Sequence, residues 1–242
     1  MAYQCKAIVL AGSAALALTA AGASAGTLDL TYKGPSTAEP KTVEITNAPV
    51  TPAASHVYAF GFNMEAATDP LTEFLAWCLD IESYLGAKNQ SKPYTITNDP
   101  FSNSDGLGSD QRARVQAVFD ANFATLDASD GYEAAGFQLA LWDALYDDDW
   151  AAGSGTFAAT ADSGGSILGL ADDYLGNAAN YMANNGPRLF NMTFWESTPG
   201  VNGIKHQNLV SVAPVPLPAA GWLMIAGVGG LAALRRRKAK AA

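Results

Sequence analysis

The sequence is poor in cysteine, histidine and positive charge. Its 242 residues contain two cysteines and two histidines, and 23 Asp and Glu outnumber 14 Lys and Arg, for a formal charge of −9. Two cysteines cannot form a disulfide framework, and their spacing is not that of a zinc site. The deficit of positive charge excludes the basic surface of a nucleic-acid-binding protein, so no nucleic-acid partner is expected. With 49% hydrophobic residues, the chain is also too apolar to be disordered.

The motifs of common enzyme classes are also missing. The sequence has no nucleophile elbow, no metalloprotease histidine pair and no phosphate-binding loop, and it has no motif for a nucleotide or redox cofactor. We therefore predict no catalytic residue, no cofactor and no metal site. The acidic segments 147–149, 127–133 and 98–110 could supply oxygen ligands to a cation, but they lack the spacing of an EF-hand loop. Solvated acidic segments are the simpler interpretation.

Residues 1–25 have the pattern of a secretory signal peptide. Lys6 precedes an apolar stretch from Ala7 to Ala21, and Ala23-Ser24-Ala25 forms a small-residue cleavage site. Removal by signal peptidase would leave Cys78 as the one cysteine of the mature protein. The alternative is a buried first helix.

Residues 215–242 combine three features in a fixed order. A proline-containing motif comes first, a stretch without charged residues follows, and an arginine cluster ends the segment. The motif is Val215-Pro216-Leu217-Pro218-Ala219, the uncharged stretch runs from Ala219 to Leu234, and the cluster is Arg235, Arg236, Arg237 and Lys238. The 16 uncharged residues make about 24 Å of helix against a hydrocarbon core of about 30 Å, so the arginines must snorkel for the helix to span.

This tail resembles the PEP-CTERM class of sorting signals, which exosortases read in Gram-negative bacteria, in the VPLPA variant with Leu between the prolines. The resemblance implies transient insertion into the inner membrane, with Arg235, Arg236 and Arg237 as the stop-transfer cluster. It also implies cleavage near the motif by a transpeptidase-like protease and delivery to the cell surface or extracellular matrix. An anchor that is never cut is the alternative.

Residues 26–214 fit one exported globular domain. They retain eight basic and all 23 acidic residues, for a charge of −15. Period-two patterns predict strands early and late in the domain, and period-3.6 patterns predict helices between them, so we expect an α+β fold with a β-rich core, sandwich or barrel-like, and an inserted helical part. The predicted strands are 28–32, 42–46, 56–64, 74–84, 93–97, 189–195 and 207–212, and the predicted helices are centred on 115–123, 134–145 and 166–184.

Gln138 lies in the apolar stripe of the second predicted helix, which Asp130 and Glu133 are placed to cap. A buried amide without a partner costs about 1–3 kcal/mol, so Gln138 needs one. Cys78 lies in a strand-like run of large apolar residues and would be a free thiol in an oxidising compartment. We therefore hypothesise an internal thioester between Cys78 and Gln138. Trp77, Phe137 and Trp142 are expected to shield it from water.

The segments Trp77-Cys78-Leu79-Asp80 and Phe137-Gln138-Leu139-Ala140-Leu141-Trp142 resemble those of the thioester domains of bacterial surface adhesins. In that family the motif is Thr-Gln-x-Ala-apolar-Trp, so Phe137 stands where Thr is usual. The resemblance implies a β-rich fold with a helical part, and covalent capture of amines or hydroxyls on a surface polysaccharide or protein.

Three functions are consistent with these patterns. The first is single-turnover covalent attachment at the cell surface, which is not enzymatic. The second is a passive structural or carbohydrate-binding matrix protein in which Cys78 is a small buried hydrophobe and Gln138 bonds to backbone. The third is a secreted hydrolase with an unrecognised site.

Overall fold

The structure, a computed structural model, describes residues 27–97, 107–161, 166–200 and 203–216. The expected signal peptide, and the sorting signal apart from Val215 and Pro216, lie outside these residues. No helix in the described part of the chain is long and apolar enough to cross a membrane. The elements are β1 (Thr27–Pro35), β2 (Lys41–Asn47), β3 (His56–Ala59), β4 (Phe62–Ala66), β5 (Thr72–Cys78), β6 (Ser91–Thr97), α1 (Ser109–Asn122), α2 (Gly131–Tyr146), β7 (Ala158–Ala161), α3 (Ser166–Ala183), β8 (Phe190–Ser197) and β9 (Leu209–Pro214).

Six strands close into an antiparallel barrel in the order β1-β4-β5-β9-β8-β6, and β3, β2 and β7 form a separate sheet. Burial alternates along the barrel strands, as in β4, where Phe62 and Met64 are buried and Asn63 is exposed. Closing the sheet leaves none of its edges unpaired. The β-rich core with an inserted helical part is confirmed, and the core is a barrel rather than a sandwich.

Helix α2 lies at the centre of the domain and contacts α1, α3 and the strands β2, β3 and β5. The sequence predicts a single apolar stripe, but nearly every residue from Gly131 to Leu145 is buried. The stripe is wider than predicted because α3 covers the opposite side of the helix. A Cβ on Gly136 would lie 2.8 Å from the Cβ of Leu170, so this glycine allows α2 and α3 to approach closely.

The start of α2 is capped largely as its sequence predicts. The Asp130 carboxylate accepts hydrogen bonds from the backbone N–H groups of Tyr132 and Glu133. Glu133, however, bonds to the backbone N–H of Asp127 and not to that of Asp130. The cap therefore also fixes the loop before the helix.

Several strand boundaries differ from the prediction. The run 56–64 is split at Phe60-Gly61, so that β3 and β4 belong to different sheets. The run 74–84 ends at Cys78, and residues 79–84 are not a strand. Strand β7 was not predicted, because its Ala-Ala-Thr-Ala sequence has no alternation of large apolar residues.

Candidate functional site

Cys78 is the last residue of β5, where one side of the strand loses its neighbour. Strand β4 begins at Phe62, which pairs with Ala76, whereas β9 still places Leu209 opposite Cys78. The pairing of β4 with β5 therefore ends two residues before Cys78. Since Cys78 is only 1% exposed, its backbone N–H and C=O need partners other than water.

Gln138 of α2 supplies both partners. Its Oε1 accepts from the Cys78 backbone N–H at 3.0 Å, and its Nε2 donates to the Cys78 backbone C=O at 2.7 Å. The side-chain amide thus takes the position of one more strand residue beside β5. Two residues that are 60 positions apart in the chain meet in this way, and Gln138 is also only 1% exposed.

The three aromatic residues that the sequence predicts as a shield are buried beside this pair. Trp77 and Phe137 are fully buried and Trp142 is 2% exposed. The rings of Trp77 and Phe137 meet edge to face with centroids 4.7 Å apart. Each of these rings adjoins one member of the pair in sequence, and Trp142 lies one helical turn after Gln138. Water is therefore excluded from the surroundings of the amide.

Polar groups surround the Cys78 sulfur. Its S–H donates to the backbone carbonyl of Asp80 at 2.9 Å. Burial raises the pKa of the thiol, and the nearby Asp80 charge raises it further, against smaller opposite effects from the Asp80 backbone and the Trp142 indole N–H. The resting cysteine is consequently a neutral thiol.

Two tyrosines and the Asp80 carboxyl complete this environment. Burial raises the pKa values of Tyr94 and Tyr146, with additional effects from the charges of Asp80 and Cys78. Both hydroxyls donate to backbone carbonyls, that of Tyr94 to Gln207 and that of Tyr146 to Leu79. Burial also raises the pKa of Asp80 itself, against hydrogen bonds that include the backbone N–H of Glu82.

This arrangement suits acyl chemistry at Gln138. The Cys78 N–H that donates to Oε1 polarises the side-chain carbonyl, and it would stabilise the negative charge that grows on this oxygen when a nucleophile attacks. The thiol of the same cysteine could act as that nucleophile. The same two hydrogen bonds also give each polar atom of the buried amide a partner, as expected if Gln138 has only a structural role.

Solved structures with a similar fold were found. One is the N-terminal domain of the Streptococcus pyogenes pilus tip adhesin Cpa, with 18% identity over 73% of this chain and 94% of that chain and a TM-score of 0.41. Another is the thioester domain of the Enterococcus faecium TIE86 protein, with 10% identity over 78% of this chain and 77% of that chain and a TM-score of 0.37. At these values neither similarity assigns a function, which must come from the contacts of this chain.

No family model matches the chain, and no curated protein matches it.

A second buried polar group lies at the end of α2. Asp143 is fully buried, and neither of its carboxylate oxygens has a hydrogen-bond partner among the described residues. Burial raises its pKa to about 8, and the charges of Asp149, Asp147 and Asp172 add to the shift, whereas Arg114 opposes it. The sequence carries a signal for this residue, because a carboxylate stands among the apolar residues of α2.

The acidic segment after α2 is a structured loop. Burial favours protonation of Asp147, but backbone N–H groups, first that of Phe157, outweigh it and hold its pKa below the ordinary value. These bonds fold residues 147–157 around one carboxylate. In residues 27–97, 107–161, 166–200 and 203–216, no three acidic, histidine or cysteine side chains are grouped so that they could hold a metal ion.

Proposed function

We propose that this chain is an exported surface protein that attaches itself covalently to a nucleophile through a thioester between Cys78 and Gln138. The proposal rests on one observation: the Gln138 amide is fixed by two hydrogen bonds to the cysteine whose thiol would attack it. Such fixation replaces a bimolecular encounter with an intramolecular one, which accelerates reactions by large factors.

The proposed bond forms without an external reagent. The Cys78 sulfur attacks the Gln138 side-chain carbonyl carbon, the S–C bond forms and the C–N bond breaks. The thiol proton goes to the departing nitrogen, which leaves as ammonia. In capture, an amine attacks the same carbon, the new amide C–N bond forms, and the sulfur leaves and regains a proton as the thiol. Each molecule reacts once, so the protein is not an enzyme.

Burial explains how such a bond would persist. A thioester in contact with water is hydrolysed, and exclusion of water from the site prevents this side reaction. Cys78 and Gln138 are each 1% exposed, and Trp77 and Phe137 are fully buried. A target nucleophile must therefore enter by local opening. The connection after β5 starts directly after Cys78 and is exposed at Glu82 and Tyr84, so its opening would give access to the pair.

The same contacts are compatible with a passive matrix protein that has no thioester. In that function Gln138 replaces the missing strand residue beside Cys78, and the two hydrogen bonds contribute only to stability. The two functions differ in the covalent state of the pair, which can be measured directly.

Intact-mass analysis of the purified full chain tests the proposal. We expect a mass lower than that of the sequence by one ammonia, and we expect methylamine to replace the deficit with one methylamine adduct at Gln138. Cys78→Ala should abolish both effects, whereas Cys5→Ala should change neither. A folded wild-type chain with its full sequence mass and a freely alkylated Cys78 would establish the passive function instead.

We further propose export by the signal peptide at 1–25 and sorting by an exosortase at 215–242, with transient anchoring in the inner membrane. The support is the sequence order of Val215–Ala219, the uncharged stretch and the cluster Arg235–Arg237. Peptide mapping of the surface-located protein should find its C-terminus near residues 215–219. Recovery of peptides that contain Arg235–Arg237 would contradict cleavage and support a permanent anchor.

A further inference from the structure

Trp142 has an indole N–H that the fold leaves without a partner. The side chain is 2% exposed, and its Nε1 makes no hydrogen bond to any described residue. An N–H buried without a partner lowers the stability of the folded state, so its position needs an explanation. The Nε1 of Trp77 is also buried without a partner, but Trp77 and Cys78 are successive residues of β5, so their side chains point to opposite faces of the strand. The Nε1 of Trp195, by contrast, donates to Ser211 at 2.9 Å.

The helix places this N–H beside the reacting sulfur. Gln138 and Trp142 are four residues apart in α2, so their side chains lie on one face, one turn apart. The Gln138 side chain is hydrogen-bonded to the backbone of Cys78. Trp142, one turn further along the same face of α2, therefore lies next to that cysteine. The Trp142 side chain lowers the pKa of the Cys78 thiol, although its N–H forms no hydrogen bond of normal geometry with the sulfur.

The other donors around the sulfur are already used. The hydroxyls of Tyr94 and Tyr146 donate to backbone carbonyls, and the Cys78 N–H donates to Gln138. The neutral S–H itself donates to Asp80. Any negative charge that develops on the sulfur would therefore face burial and the Asp80 carboxylate. Of the two unbonded indole N–H groups nearby, that of Trp77 belongs to the opposite face of β5, and that of Trp142 remains to stabilise the charge.

We propose that Trp142 is a catalytic residue, whose indole N–H stabilises negative charge on the Cys78 sulfur. This inference rests on the proposed function. It applies to both steps: the sulfur gains charge as the thiol gives its proton to the leaving ammonia, and again when an amine displaces it from the Gln138 carbonyl carbon. An interaction that is weak with the neutral thiol and strong with the charged sulfur lowers the barrier without stabilising the resting state.

The shielding role expected for Trp142 from the sequence predicts the opposite kinetic effect. If the ring only excluded water, a smaller ring would open the site, and capture and hydrolysis would both become faster. If the N–H stabilises the departing sulfur, its removal makes capture slower although the site is more open. The direction of the change therefore distinguishes a chemical role from a structural one.

The test compares Trp142→Phe with Trp195→Phe in the full chain, measuring methylamine capture by intact mass and thiol release by alkylation of Cys78. We expect Trp142→Phe to slow capture about tenfold or more, and Trp195→Phe to remain within about twofold of wild type. Equal or faster capture by a folded Trp142→Phe chain would overturn the inference.

Two further results keep the test decisive. If Trp142→Phe does not fold, benzothienylalanine at position 142 keeps the ring shape and replaces the N–H with sulfur, and the same slowing is expected. If the wild-type chain carries no bond, the proposed function and this inference both fail. If the wild-type bond forms and the benzothienylalanine chain captures methylamine at the wild-type rate, only the role of Trp142 is lost.

Discussion

Helix α2 carries two buried polar side chains, five residues apart, and their environments are opposite. Gln138 is neutral, and both polar atoms of its amide are bonded to the backbone of Cys78. Asp143 is fully buried, and neither of its oxygens has a partner in the described part of the chain. One helix therefore contains a buried amide with hydrogen-bond partners and a buried carboxyl without them.

The helix thus places a rigidly held side chain and an electrostatically unfavourable one at different positions. Two hydrogen bonds fix Gln138 in one orientation, and a fixed carbonyl is what acyl chemistry at Cys78 requires. Asp143 instead faces the carboxylates of Asp147, Asp149 and Asp172, and their charges raise its pKa further. We expect the first region to be insensitive to pH near neutrality and the second to be sensitive.

The largest effect is expected when the satisfied group is removed. In a Cys78→Ala chain, which cannot form the thioester and so keeps the Gln138 amide, Gln138→Leu leaves the backbone N–H and C=O of residue 78 buried without partners, and each such group costs about 1–3 kcal/mol. We therefore expect the free energy of unfolding to fall by about 2–4 kcal/mol. Chemical denaturation of the full chain, followed by tryptophan fluorescence, measures this change.

Gln138→Glu is the matched control for that variant. Glutamic acid has the same length and, when protonated, can still accept from the Cys78 N–H and donate to its C=O. It should therefore be less destabilising than Gln138→Leu at pH 5, although it cannot expel ammonia to form the bond. A Gln138→Leu chain as stable as its Cys78→Ala parent would mean that the two hydrogen bonds contribute nothing to the fold.

A smaller effect, of opposite sign, is expected at the unsatisfied group. The pKa of Asp143 is about 8 in the folded chain, against about 3.9 in an unfolded chain. Between these values the folded state binds more protons than the unfolded state, so this group makes the protein less stable as the pH rises from 4 to 8. Asp143→Asn removes the carboxylate and should stabilise the chain more at pH 8 than at pH 5.

The difference between the two pH values is expected to be roughly 1–3 kcal/mol, or several degrees in Tm for a domain of this size. Differential scanning calorimetry of the full chain at both pH values measures it. Asp148→Asn is the control, because Asp148 is an exposed neighbour in the same loop and its replacement should shift Tm equally at both. A pH-independent effect of Asp143→Asn would show that the buried carboxyl is ionised at both pH values, with a pKa near the ordinary one.

Much of the satisfied region could be predicted from the sequence. The helical period placed Gln138 among buried positions, and the alternating pattern placed Cys78 in a strand. The need for a partner followed from the cost of a buried amide, and Asp130 was correctly predicted to cap α2. These are local properties of the chain, which residue spacing determines.

Non-local properties could not be predicted in this way. Strand β4 starts opposite Ala76 and so leaves Cys78 without a neighbour on that side. The position of this boundary depends on how the barrel closes. The burial of Asp143 depends on α3 and on the loop 147–157, which cover a side of α2 that its own pattern does not mark. The splitting of 56–64 has the same cause, since β3 pairs with β2 in one sheet and β4 pairs with β1 and β5 in the other.

The smallest effect is expected at the start of α2, which anchors both regions. Asp130→Ala removes the side chain that accepts from the backbone N–H groups of Tyr132 and Glu133, and loss of such a cap costs about 1 kcal/mol. Since Gln138 lies two turns further on and is held by Cys78, thioester content by intact mass should not change while stability at pH 7 falls. Loss of the thioester in a folded Asp130→Ala chain would mean that the helix position, and not the pair of hydrogen bonds, determines the geometry of the amide.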